Sequence, residues 1–303
     1  MRSNNTSSTS FPLFTATLSK GRCGIYEGYD TSKMNGDLDL IRDIANGPGF
    51  SLFNIQNVYD LGAKDNHLQE NIGNSFTTMP CFPPFPYMWM EWDVDGTPFA
   101  CLSLTTEHET EFMFLGSYPD QNPIVSMISG VVVSMTWSEE GSLANDGFGI
   151  SYPYSPKDTA SRLYSPNAHG KHVLDQLLTK SAKSSTYIAL ASFLFAHCKN
   201  VDIVERLPKR HEQRAAKRAG EPILKYHEIV IDPNRSYATN ATSKDPSTKP
   251  SKALHIARGH FAHYTDEKPL FGKYAGTFWV PAHVRGKADN GVINSTYRVK
   301  AAA

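Results

Sequence analysis

Short runs rich in aromatic and β-branched residues dominate the chain from residue 85 to 153, and turn formers separate them. Tyr87 to Asp93, Pro98 to Thr105, Glu111 to Gly116, Ile124 to Trp137 and Gly147 to Tyr152 are the predicted strands. Val94-Asp-Gly-Thr97 joins the first two, and Asp-Gly supplies the positive φ values that a tight hairpin turn demands. A mainly antiparallel sheet is expected here, entered through the proline-rich Pro83 to Pro86.

Helical spacing replaces strand spacing on either side. Gly36 to Ala45 carries Leu38, Leu40, Ile41 and Ile44 on one period, and His169 to Lys180 carries Val173, Leu174, Leu177 and Leu178. Ser184 to Lys199 is apolar almost all round, as a core helix is. Its longest nearly uncharged run, Tyr187 to Cys198, is about half of the roughly 20 residues a membrane span requires. Pro208 to Gly220 is a polar, basic helix with Gly220 as its stop, and Leu224 to Ile231 is a further strand. Strands followed by helices, without βαβ alternation, give an α+β fold: an antiparallel sheet with packed helices, plus a small β-rich C-terminal module.

The ends and joints follow from composition. Residues 1–12, rich in Ser, Thr and Asn without an apolar run behind Arg2, are expected to be a flexible tail and not a targeting signal. The body then runs over 13–233. Residues 234–252 contain no large aliphatic side chain to offset the entropy of ordering, which marks a linker or mobile loop. The module at 253–303 has three strand-like stretches, Leu254 to His263, Gly276 to Val284 and Val292 to Val299. Four scattered cysteines (Cys23, Cys81, Cys101 and Cys198) form no C-x-x-C pair, and point to a reducing compartment.

Charge changes the picture. The chain has 30 Lys plus Arg and 30 Asp plus Glu, but residues 1–200 hold 12 basic against 20 acidic side chains and residues 201–303 hold 18 against 10. The neutral total is the sum of a pole of minus 8 and a pole of plus 8. An anionic partner for the basic part, nucleic acid above all, is the functional implication; two regions neutralising each other is the structural alternative.

The densest chemistry lies in that basic part: Leu254-His-Ile-Ala-Arg-Gly-His-Phe-Ala-His-Tyr264, then Leu270 to Gly286 with Phe271, Tyr274, Trp279, His283 and Arg285. On one extended strand Arg258, His260 and Tyr264 share a face. A guanidinium neutralises phosphate through paired N–H donors, and imidazole moves protons near neutral pH. His260, His283 and Arg258 are therefore candidates for the acid, base and cation of a metal-independent ribonuclease. Arg285 is a candidate for holding phosphates, and Phe261, Tyr264, Trp279 and Tyr274 are candidates for stacking on bases or packing a small core. A purely structural Arg/His network is the third arrangement. Lys209, Arg210, Arg214, Lys217 and Arg218 fall within one broad helical face and suit a nucleic-acid backbone, or a solvated helix. His260 and His263, three apart on a strand, point to opposite faces; no metal and no cofactor is expected. The aromatic run Phe82, Phe85, Tyr87, Trp89 and Trp92 fits a sheet core, with the alternation through Tyr87, Trp89 and Glu91 leaving room for one exposed aromatic face.

His255-Ile-Ala-Arg-Gly-His-Phe, an aromatic strand and His283-Val-Arg-Gly follow an upstream pattern of Asn200-Val-Asp, Pro208-Lys-Arg and Lys217-Arg-Ala-Gly-Glu-Pro222. Over about the last 120 residues this resembles proteins of phages and mobile elements, and is similar to the type V-A anti-CRISPR family, whose members suppress the CRISPR effector at the level of its messenger RNA. The resemblance implies Arg258, Gly259, His260 and Phe261 as matched positions, and action in the cytoplasm of an infected bacterium. Three functions follow as expectations: an anti-defence protein that recognises a host protein or nascent peptide and engages RNA, a non-catalytic phage binding or structural protein, and a metal-independent ribonuclease without peptide recognition. No membrane partner is expected.

Overall fold

The computed structural model describes residues 11, 13–14, 31–64, 72–116, 127–151, 183–220, 223–231, 253–257, 259–281, 283–285 and 287–292; for 31–38, 63–64, 127–131, 146, 151, 219, 253–257 and the last two stretches the description covers the backbone. The tail at 1–10, the helix at His169 to Lys180, the linker at 234–252 and Arg258 lie outside the described residues.

The expected α+β architecture is present, built on an eight-stranded sheet. Five strands form an antiparallel meander: β2 (Tyr87–Val94), β3 (Thr97–Thr105), β4 (Glu109–Gly116), β5 (Met127–Trp137) and β6 (Leu143–Ser151). The Asp-Gly hairpin holds as read: Asp95 and Gly96 have φ of 52° and 85°, and Asp93 accepts the Gly96 N–H at 2.7 Å. The sheet continues beyond the meander, which makes it mixed. Strand β1 (Phe50–Asn54) runs parallel to β2 and to β8 (Tyr226–Val230), and β8 pairs antiparallel with the edge strand β7 (Asp202–Arg206).

Helices and loops cover both faces. On one face lie Met88, Met90, Trp92, Cys101, Phe112 and Phe53, against α2 (Gln56–Lys64) and the apolar helix α3 (183–196) through Val58, Leu190, Phe193 and Leu194. Phe112 stacks on Phe193 at 5.9 Å. The other face, with Leu52, Trp89, Leu102 and Leu115, packs against Ile41 of α1 (Thr31–Asn46) and against Phe11, Leu13 and Phe14. The alternation at Tyr87, Trp89 and Glu91 therefore leaves no exposed aromatic face: Trp89 and Glu91 are buried under N-terminal residues, and Phe11, within the expected tail, is core.

The strand readings after residue 252 need correction. Leu254 to His263 is two strands, β9 (Ala253–Ala257) and β10 (His260–Tyr264), and they belong to different sheets. Gly276 to Val284 also divides, into β11 (Gly276–Val280) and β12 (His283–Arg285) around Pro281, which has no N–H to carry a ladder across the joint. β10 and β11 form an antiparallel hairpin, while β12, β9 and β13 (Lys287–Val292) form a three-stranded sheet. The hairpin has no separate core. Phe261 and Trp279 join the main core at Phe195, 4.9 and 5.1 Å away between ring centroids.

Cys81, Cys101 and Cys198 are free and buried, and burial pushes the Cys81 thiol up to about 12. Among the described residues no helix is long and apolar enough to cross a membrane.

Candidate nucleic-acid interface

The basic helix forms as its sequence directs. α4 (Arg210–Ala219) begins where Glu212 reaches back to accept the Lys209 N–H at 2.7 Å, one half of a capping box. It ends at Gly220, whose φ of 72° lets its N–H reach the carbonyls of Ala216 and Lys217. Lys217 and Arg218 in the last turn suit the negative end of the helix dipole. Gln213 ties the first turn to the Pro208 carbonyl at 2.7 Å.

The helix is an excursion between β7, at the sheet edge, and β8. At the base of that excursion charges are matched: Arg206 pairs with Glu228 at 3.1 Å and Lys225 with Glu205 at 3.0 Å. On the helix they are not. Lys209, Arg210, Arg214, Lys217 and Arg218 are all exposed, and among the described residues none of them forms an ion pair. At 100° per residue, Arg210, Arg214, Lys217 and Arg218 fall within one stripe about 100° wide. Intramolecular neutralisation of these five charges is thus not seen among the described residues.

The histidine-rich stretch is arranged differently from its reading as one strand. In β10, Phe261 and His263 take one face, and His260, Ala262 and Tyr264 the other. His260 is half-buried opposite Val280. His263 is exposed and its Nδ1 lies 2.9 Å from the hydroxyl of Thr277. Tyr264 packs edge-on against Phe278 at 5.8 Å. Trp279, a candidate for base stacking, is only 5% exposed; its ring is in contact with Phe195 and Phe261 and has no face left for a base. His283 and Arg285 lie on β12, paired with Ala257 and His255 of β9, in a sheet apart from His260. His260 and His283 thus belong to different sheets, and Arg258 lies outside the described residues. No group of three metal-binding side chains occurs among the described residues.

A second surface, missed in the sequence, lies at one end of the meander. A groove of about 570 Å³ is walled by Phe82 to Pro86, the β3–β4 turn and the β5–β6 turn. Phe82 is 41% exposed, and its ring lies over Gly141, where a Cβ would come within 2.5 Å. His197, at the end of α3, donates Nε2–H to the Phe82 carbonyl at 2.7 Å, and burial holds its pKa below the usual histidine value. The groove rim carries Glu107, Glu139 and Glu140, exposed and without an ion pair among the described residues. The proline run was the visible signal; the two acidic turns that complete the groove are far from it in sequence.

Comparison with protein-family models, curated proteins and solved structures finds no match.

Proposed function

We propose that the protein binds RNA through the phosphate backbone, with α4 as the principal contact. The observation that carries this is four exposed cations on α4 and a fifth at its N-cap, none of them in an ion pair among the described residues, on an excursion from the edge strand β7. Such a stripe neutralises successive phosphates and releases their counterions, independent of base sequence. Binding is favoured over cleavage, because the α4 cations face solvent whereas His260 is half-buried and belongs to a different sheet from His283.

With the likeness of the Arg-Gly-His stretch to anti-CRISPR proteins, the RNA is proposed to be messenger RNA in a bacterial host and the role anti-defence. The acidic groove is the surface proposed for the host protein or nascent peptide, since its apolar floor and three exposed carboxylates complement a cationic segment bearing an apolar side chain.

Fluorescence anisotropy with labelled single-stranded RNA tests the first part. The variant Arg210→Gln/Arg214→Gln/Lys217→Gln/Arg218→Gln keeps helix propensity and is expected to weaken binding at least tenfold at low salt. Unchanged affinity would remove α4 from the interface. Titration of lysine-containing amphipathic peptides against wild type and Glu107→Gln/Glu139→Gln/Glu140→Gln tests the groove, with binding expected in the wild type alone.

A further inference from the structure

The β10–β11 hairpin is anchored at its base and ends in an unusual tip. Phe261 and Trp279 are fixed in the core, and Lys199 N–H donates to the Thr277 carbonyl at 2.8 Å. The tip closes on itself: Leu270 and Tyr274 exchange backbone hydrogen bonds of 2.8 and 3.0 Å, and Gly272 N–H reaches the Pro269 carbonyl at 3.1 Å. Inside this turn Phe271 has a φ of 54°, directly before Gly272 at 69°. Glycine or asparagine suits such a position; a bulky side chain is strained there. Phe271 is also 58% exposed, the most exposed of the large apolar side chains described.

Two unfavourable features, strain and a solvated aromatic ring, thus meet on one residue without return inside the described chain. Beside it, Lys273 lies with its ammonium 5.1 Å from the centroid of the Tyr274 ring, which is 37% exposed. Lys268 is exposed just before the turn, after the acidic pair Asp266 and Glu267. An anchor for an apolar protein pocket would carry an apolar rim. Here the exposed neighbours are Gly272, Lys273 and the Tyr274 ring, with Pro269 and Leu270 half-buried behind them, and the exposed set complements a flat base joined to a phosphate.

We infer that Phe271 is a base-stacking residue: the rigid tip offers its ring to an unpaired nucleobase, with Lys273 and Lys268 beside the adjoining phosphates. This rests on the RNA reading of α4 and extends it to a second, chemically different contact. The base of the hairpin and the start of α4 are joined through β7. Asn200, which docks the hairpin, and Lys209, which opens α4, are nine residues apart with β7 between them, so at about 3.3 Å per residue they lie within about 30 Å.

The test uses a single-stranded oligoadenylate carrying one fluorescent aminopurine, with wild type, Phe271→Trp, Phe271→Leu, Phe271→Gly and the four-site α4 variant. Stacking quenches aminopurine. Wild type and Phe271→Trp are expected to bind and quench; Phe271→Gly is expected to lose about five- to a hundredfold in affinity, lose the quench, and melt no lower than wild type because the turn is relieved. Loss of affinity with undiminished thermal stability separates a binding role from a structural one. If Phe271→Gly or Phe271→Leu binds and quenches like wild type while the α4 variant is weakened, stacking by Phe271 is overturned and the RNA reading stands. If wild type fails to bind, the RNA reading falls and this proposal with it.

Discussion

One side chain, that of Asn200, holds both backbone polar groups of Trp279. Its Nδ2 donates to the Trp279 carbonyl at 2.6 Å and its Oδ1 accepts the Trp279 N–H at 2.9 Å. The amide acts as a one-residue strand at the edge of β11, and it is buried. Asn200→Ala would leave two buried backbone groups without partners, at about 1–3 kcal/mol each. A loss of about 2–4 kcal/mol in urea unfolding is expected. Trp279 fluorescence will shift if the hairpin detaches, and a change below a few tenths of a kcal/mol would show that the amide is not what docks it.

Glu91 ties the N-terminal residues to β2. Its Oε1 accepts the Phe14 N–H at 2.6 Å and the Trp89 Nε1–H at 2.9 Å, and burial, only partly offset by these bonds, raises the carboxyl to about 8 from 4.5. Below pH 4.5 folded and unfolded chains both hold the proton, and the contribution to stability is fully present. As the pH rises the unfolded chain releases its proton first, so unfolding becomes proton-releasing and stability falls until about pH 8, by at most about 1.4 kcal/mol per unit. Glu91→Gln keeps an acceptor and removes the ionisation. Melting profiles across that window are expected to be flatter in the variant, and equal slopes would refute the assignment.

Salt dependence gives α4 a quantitative signature. For a single strand the logarithm of affinity falls by about 0.7 per neutralised phosphate for each decade of salt, so five contacts give a slope of about 3 to 4. Neutralising Arg210, Arg214, Lys217 and Arg218 together is expected to remove most of it. A wild-type slope near zero would exclude backbone contacts.

The groove depends on Gly141. With φ of 77° and the Phe82 ring where a Cβ would stand, Gly141→Ala adds backbone strain and displaces the ring. A destabilisation of about 1–3 kcal/mol is expected, with weaker peptide binding; unchanged stability in thermal unfolding would show that Phe82 moves without cost.

Several elements were legible because their causes are local. Asp95-Gly96 accepts positive φ wherever it stands, Gly220 stops α4, and the all-round apolar run at Tyr187 marks a core helix. β1 was not legible. Phe-Ser-Leu-Phe-Asn is five residues without clear periodicity, and its place between β2 and β8 comes from partners tens to more than a hundred residues away. The same holds for Trp279. Nothing in its own stretch says that Phe195 and Phe261 will cover both the ring and the base-stacking role.

By itself the sequence determined the α+β class, the meander with its Asp-Gly hairpin, the ends of the basic helix and the opposite charge of the two parts, since propensity, turn chemistry and side-chain charge are carried by residues and their near neighbours. Only the tertiary structure decided that the strand at 254–263 breaks, that the Trp89 and Glu91 face is sealed by Phe11 and Phe14, and that the α4 cations are exposed while Phe271 projects. Burial and ion pairing belong to whichever distant surface arrives opposite a residue, and no local pattern encodes that.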